Sequence, residues 1–121
     1  MKLRRLSGRK TNDFLLRKGR VWKGKTMMIR WLPSAPRRRA IDPGAHELYL
    51  GTFASMKLHK SAVKRNRMRR RIREAWRIHV KELDTLPAAQ LLISPRIASL
   101  EAPFEDIRQD VRAFLSLLTH G

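Results

Sequence analysis

The chain has no cysteine among its 121 residues. That excludes disulfides, cysteine-ligated zinc and thiol nucleophiles, and it permits a reducing compartment. Acidic side chains are scarce, 10 against 28 lysines and arginines, which leaves a formal net charge of +18. Apolar runs extend only a few residues, too short for a membrane span or a signal-peptide core, and Met1-Lys2-Leu3-Arg4-Arg5 leads into polar sequence. The glycines, at 8, 19, 24, 44, 51 and 121, are scattered rather than gathered into a phosphate-cradling loop. No internal repeat and no low-complexity stretch occurs. What remains is a chain of single-domain length, 42% hydrophobic, too apolar for a disordered basic tail and basic enough to seek a polyanion.

The charge is concentrated in one segment. A helix beginning near Ser61 or Ala62 and ending near Leu83 is expected, before Leu86-Pro87. At about 100° per residue, Met68, Ile72, Ala75, Trp76 and Leu83 gather on one face, the stripe a helix lays on a core. Arg67, Arg70, Arg73, Arg77 and Lys81 fall on the far side with Asn66, and only Glu74 interrupts them. A solvated helix face usually mixes signs, because like charges one turn apart repel. This face therefore calls for an anionic partner. Arginine predominates over lysine between Arg65 and Arg77, and the planar guanidinium suits phosphates and base edges and stacks on bases, so nucleic acid is the expected partner.

The run Ala62-Val63-Lys64-Arg65-Asn66-Arg67-Met68-Arg69-Arg70-Arg71-Ile72-Arg73-Glu74-Ala75 resembles the signature of the bacterial ribonuclease P protein subunit, an Arg-Asn-Arg core followed by basic residues and an Arg-Glu pair. The resemblance extends to Asp13-Phe14 with a basic residue and Gly19 beyond, and it spans roughly residues 3 to 118. It implies a small protein that joins a large catalytic RNA, the RNA doing the cutting when 5′ leaders are removed from precursor tRNA. It places Lys57, Lys60, Lys64, Arg65, Asn66, Arg67, Arg69, Arg70, Arg73 and Arg77 at the RNA side. Phe14, Met28, Arg30, Phe53 and Ser55 would lie in or beside a groove for the single-stranded leader. Three positions depart from the family pattern. Arg30 stands where an aromatic or aliphatic residue is usual, Met56 where a lysine often precedes Lys57, and Lys18 where a second aromatic can occur. Leader contacts are accordingly expected to be more electrostatic.

Along the chain, residues 1 to 11 read as a basic, mobile arm, residues 12 to 118 as one RNA-binding domain, and residues 119 to 121 as a tail. Thr11-Asn12-Asp13 offers N-caps for a short helix over 12 to 18, stopped by Gly19. Residues 25 to 32 read as a strand, with Met27, Ile29 and Trp31 opposite Met28, Arg30 and Leu32. Residues 33 to 43 form a proline- and arginine-rich loop, and a hairpin-like connection at Asp42-Pro43-Gly44 leads into a strand over 46 to 56, central by pattern. Its Gly51 suits a close backbone approach. Residues 89 to 94, bounded by Pro87 and Pro95, read as a buried strand parallel to the preceding one across the basic helix. Pro103, Glu105 and Asp106 open a last helix, carried by Phe104, Ile107, Val111, Phe114 and Leu118. The fold class is α+β, a single-domain α/β sandwich of order α-β-β(-β)-α-β-α. The resemblance adds a left-handed βαβ crossover through the basic helix, against the usual right-handed rule.

No catalytic or metal constellation emerges. His46, His59 and His120 lack partners that spacing could supply, and His79 lies on the apolar side of the basic helix. Glu105, Asp106 and Asp110 sit near a helix N-terminus, where the dipole accounts for them, with no metal-cluster pattern. Magnesium is expected to be held mainly by RNA, with no organic cofactor. The expected partners are ribonuclease P RNA and the precursor tRNA leader, with no membrane and no DNA, in the bacterial cytoplasm. The alternative is a ribosomal or other structural RNA-binding protein with no role in tRNA processing. A DNA regulator fits less well, since no turn and partner helix precede the basic helix.

Overall fold

The computed structural model describes residues 2–6, 8–36, 47–81, 83 and 88–120. In chain order these form β1 (Lys2–Arg5), α1 (Arg9–Lys18), β2 (Arg20–Lys23), β3 (Met27–Leu32), β4 (Glu47–Thr52), α2 (Ala62–Val80), β5 (Ala89–Pro95), a 3-10 turn (Ile97–Leu100) and α3 (Phe104–His120). The expected α+β sandwich is present: one five-stranded sheet, ordered β1-β4-β5-β3-β2, with helices on both faces.

One face carries the main core. Alternation in β3 and β4 sends Met27, Ile29, Trp31, Leu48 and Leu50 to it, where they meet Ile72 and Trp76 of α2 and Ile107, Val111 and Phe114 of α3. The ring of Phe114 receives Trp22, Trp31 and Trp76 edge-on, with centroids 5.4 to 5.9 Å away. The apolar stripe of α2 is as expected, with Met68, Ile72, Ala75 and Trp76 buried. The other face is covered only by α1, whose Leu15 packs with Leu6, Tyr49 and Leu92.

Several expectations are corrected. The mobile arm is a strand: β1 runs parallel to β4, and the Leu6 N–H donates to the Leu50 carbonyl at 2.8 Å. Leu3 packs on the main core and Leu6 on the smaller one, so apolar residues among the arginines anchor this segment to the sheet. The first helix begins earlier than expected, at Arg9. Its N-cap is Gly8 at φ 101°, and no side chain caps it. Gly19 ends it in extended conformation, and glycine is required there because a Cβ would stand 2.5 Å from the Leu15 carbonyl oxygen.

The connection from β3 to β4 is not a hairpin, because β5 lies between them, antiparallel to β3 and parallel to β4. β5, not β4, is central: Ala89 to Ile93 are buried on both faces, the place for an unbroken apolar run. Its parallel pairing with β4 across α2 is as expected, and so is the crowding at Gly51, where a Cβ would meet the Leu6 Cβ at 3.3 Å. Ser61 caps α2 by accepting from the Lys64 N–H, and that helix ends at Val80, short of Leu83. α3 continues through residues expected as a tail. The Asp42-Pro43-Gly44 turn, His46 and Leu86-Pro87 lie outside the described residues.

Candidate nucleic-acid interface

The arginines of α2 divide into two sets. Arg67, Arg70, Arg73 and Arg77 are exposed along the outer face with Lys64 and Asn66, and Lys57 and Lys60 are exposed on the connector before the helix. Glu74, the acid within this face, is taken by Arg77 through two hydrogen bonds of 3.0 and 2.5 Å. Hydrogen bonding from Arg77 holds the Glu74 carboxyl below its ordinary range, and the same contact raises Arg77. Arg67 and Arg70 have no acidic partner among the described residues. Arg73 reaches only the Thr52 hydroxyl, at 3.5 Å. A row of guanidinium groups one turn apart is thus left to an external anion.

The second set turns inward. Arg65 donates to the carbonyls of His59 and Lys60, at 2.8 and 3.1 Å. Arg69 donates to Asn66 Oδ1 at 3.0 Å and to the Ala54 carbonyl at 3.1 Å. Both were expected at the RNA side, and the structure has them half-buried, stapling the segment after β4 to the helix. Arg71 does the same for the 3-10 turn, donating to the carbonyls of Ser99, at 2.7 Å, and Ala102. Helical spacing alone cannot separate these roles, because the acceptors are backbone carbonyls on other elements.

The second sheet face is open where α1 does not cover it. By strand register, Val21, Arg30, Leu92 and Gly51 form one row across it, and Lys23, Met28 and Ser94 the next. The Phe53 N–H donates to the Ile93 carbonyl at 2.9 Å, which brings Phe53 to the same end. Met28, Arg30 and Ser55 are half-buried there, and the Phe53 side chain is 52% exposed. Phe14 is not with them. Leu15 faces the sheet, so its neighbours point about 100° to either side. Phe14 lines a separate cleft with Leu32 and Gln90, while exposed Leu16 occupies the opposite flank. Of the family departures, Met56 and Lys18 are both exposed.

Sequence reasoning missed a cleft of about 610 Å³ rimmed by Arg4, Arg5 and Arg73 and floored by Asn12 and Gly51. Reading residues 1 to 11 as mobile hid it. It joins the outer face of α2 to the N-terminal end of α1, and Arg4 there is paired with Glu47 at 3.2 Å.

Groups that could do acid-base or metal chemistry are engaged elsewhere. His59 Nδ1 accepts from the Ser61 N–H at 3.0 Å, and buried His79 accepts from Arg108 at 3.3 Å. Asp110 accepts from the Thr26 N–H and hydroxyl, and Asp106 pairs with Lys25 at 2.7 Å. These two acids therefore clamp the β2–β3 turn to α3, beyond any dipole effect. Glu105 pairs with Arg112 and Arg108. Among the described residues, no three His, Asp or Glu side chains gather as a metal site requires. No helix among them is long and apolar enough to cross a membrane.

Comparison with known proteins follows the same direction. The Ribonuclease P family model matches residues 1–119. The chain is 37% identical over 97 residues to the ribonuclease P protein component of Thermus thermophilus, covering 79% of this chain and 48% of that protein. It is 34% identical over 99 residues to the ribonuclease P protein component of a Synechococcus species, covering 76% of each. The chain spans about half the length of the Thermus relatives it matches. In fold it is similar to the RNase P protein of Staphylococcus aureus, with TM-score 0.68 at 21% identity over 93% of each chain. The Thermotoga maritima RNase P protein is similar too, with TM-score 0.66 at 20% identity over 97% of this chain and 96% of that one.

Proposed function

The chain belongs to the ribonuclease P protein family, and from that premise we propose that it is the protein subunit of a ribonucleoprotein that removes 5′ leaders from precursor tRNA. One observation carries the reading: the exposed row Arg67, Arg70 and Arg73 lies without acidic partners beside a sheet face whose far end is open. The row neutralises phosphates of the catalytic RNA, and the open end, with Met28, Arg30, Phe53 and Ser55, takes the single-stranded leader. The RNA carries the chemistry. Magnesium is held mainly by that RNA, since the carboxylates of α3 are committed to Lys25, Thr26, Arg108 and Arg112. The protein acts in the bacterial cytoplasm, its part being to bind and position.

Reconstitution tests this. The full chain is titrated with ribonuclease P RNA and with ribosomal RNA, and the assembled particle is then offered precursor tRNA with and without its leader. Selective assembly with ribonuclease P RNA and tighter binding of the leader-bearing substrate are expected. Equal binding of both RNAs with no preference for the leader would replace this function with that of a general RNA-assembly protein. The same reading expects the protein to cleave nothing once RNA has been digested away, and a preparation that did so would refute it.

A further inference from the structure

We propose that the cleft between α1 and the β3–β5 edge, on the flank of α1 away from Met28 and Phe53, is a pocket for a single unpaired nucleobase. It measures about 450 Å³, within the range of small-ligand sites. Lys10 and Phe14 line it from α1, Leu32, Ala35 and Pro36 from the end of β3 and beyond, and Gln90 from β5.

Gln90 is the anomaly that points to a ligand. It sits in the central strand, in register with Leu32 and Tyr49 on its two neighbours, where every other side chain from Ala89 to Ile93 is apolar. Its side chain is only 5% exposed. A primary amide offers two donors and an acceptor oxygen, yet among the described residues this one makes a single hydrogen bond, from Nε2 to Ser34 Oγ at the outer limit of 3.5 Å. A buried amide so poorly matched is costly, and an apolar residue would fill the position better. The amide is explained if an occupant of the cleft supplies the missing partners.

The rest of the cleft says what that occupant is. Phe14 is 45% exposed, an aromatic face held at the mouth. Leu32, Ala35 and Pro36 make the remaining walls apolar, which suits a flat ring. An amide presents a donor beside an acceptor, the complement of the Watson–Crick or Hoogsteen edge of a base that is not paired. Lys10 stands where the phosphate next to that base would pass. Stacking on Phe14 with edge contacts to Gln90 is how proteins read splayed single-stranded bases, and paired bases could not enter. The pocket rests on the RNA-binding reading above but is separate from the open sheet face, so each can fail alone.

The test titrates the full chain with single-stranded ribohexanucleotides of A, C and U, and with an abasic hexamer of equal charge, following the Phe14 ring and Gln90 side-chain amide signals by NMR. Base-bearing strands should shift both signals and the abasic strand neither. Phe14→Ala should weaken hexamer binding at least about fivefold, the lower end of a stacking contribution. Gln90→Leu, which keeps the volume, should flatten the ranking among the three bases while stacking persists. Equal affinity for abasic and base-bearing strands, or unchanged binding by Phe14→Ala, overturns the proposal. Phe14→Leu retains the apolar contact and controls for the fold. Parallel titrations of Phe14→Ala with leader-bearing precursor tRNA and with ribonuclease P RNA identify the source of the base by which affinity falls. A protein that passes the hexamer test yet ignores ribonuclease P RNA keeps this pocket and loses only the assigned particle.

Discussion

Arg69 reaches back fifteen positions from α2 to donate to the Ala54 carbonyl at 3.1 Å, so a member of the basic run holds the segment that carries Phe53 and Ser55. Its Nε is buried without a partner, a cost accepted for that geometry. Arg70, the next residue, is exposed and has no acidic partner among the described residues. The two should therefore fail differently. Arg69→Ala should speed hydrogen exchange over residues 53 to 58 and reduce the preference for leader-bearing substrate, with the salt dependence of RNA association intact. Arg70→Ala should leave those amides alone and lower the log-log salt slope by about 0.7 to 0.9, one phosphate contact. The reverse pattern would mean that Arg69 is spent on RNA and Arg70 on the fold.

Trp76 is fully buried on the inner side of the same helix, edge-on to Phe114 at 5.9 Å. Trp76→Ala should cost about 3 to 5 kcal/mol, loss of the buried ring plus the cavity it leaves. Thermal unfolding reads this directly, and an unchanged midpoint would show that the inner and outer faces of α2 had been exchanged.

The inner face of α2 was legible because burial follows a 3.6-residue period, and Met68, Ile72, Ala75 and Trp76 obey it. Alternation likewise gave the two faces of β3. What local pattern could not supply was pairing. Asp42-Pro43-Gly44 signals a turn whether or not the flanking strands meet, so the placement of β5 between β3 and β4 was hidden. β1 was missed because arginines outweigh Leu3 and Leu6 in composition, although those two leucines decide where the segment lies. At the candidate site, the outward arginines were legible, and the inward turn of Arg65, Arg69 and Arg71 was not, since it depends on carbonyls far along the chain. Phe14 and Phe53 look alike in sequence, and only the path of α1 over Leu92 separates them.

Acid should act through Glu105. The hydrogen bond from Arg112 holds its carboxyl below the ordinary value, aided by the charges of Arg112, Arg108 and His79 and opposed by partial desolvation. A carboxyl depressed in the folded state contributes its full stability above the unfolded value of 4.5 and loses it as pH falls through the lower, folded value. Denaturant melts of wild type and Glu105→Gln should differ at neutral pH and converge in acid. Added salt should shrink the neutral-pH gap, because the pair is exposed. A gap that persisted at low pH would assign the loss to packing on α3 instead of charge.

The leader itself gives the most selective measurement, because a generic basic RNA binder would share the arginine row but not the open sheet face. Phe53 is anchored through its backbone N–H to Ile93, so Phe53→Ala removes the exposed ring and leaves the strand end in place. Stacking or apolar contact with one base is worth about 1 to 3 kcal/mol, so the assembled particle should lose roughly tenfold in affinity for precursor tRNA and nothing for mature tRNA. Arg30 shares the face but brings charge in place of an apolar surface. Its replacement by Ala should weaken precursor binding chiefly at low salt, because a phosphate contact is screened where a stacked base is not. Equal losses for precursor and mature tRNA in both variants would dismiss the groove, and the second sheet face would then be a surface that α1 only partly covers.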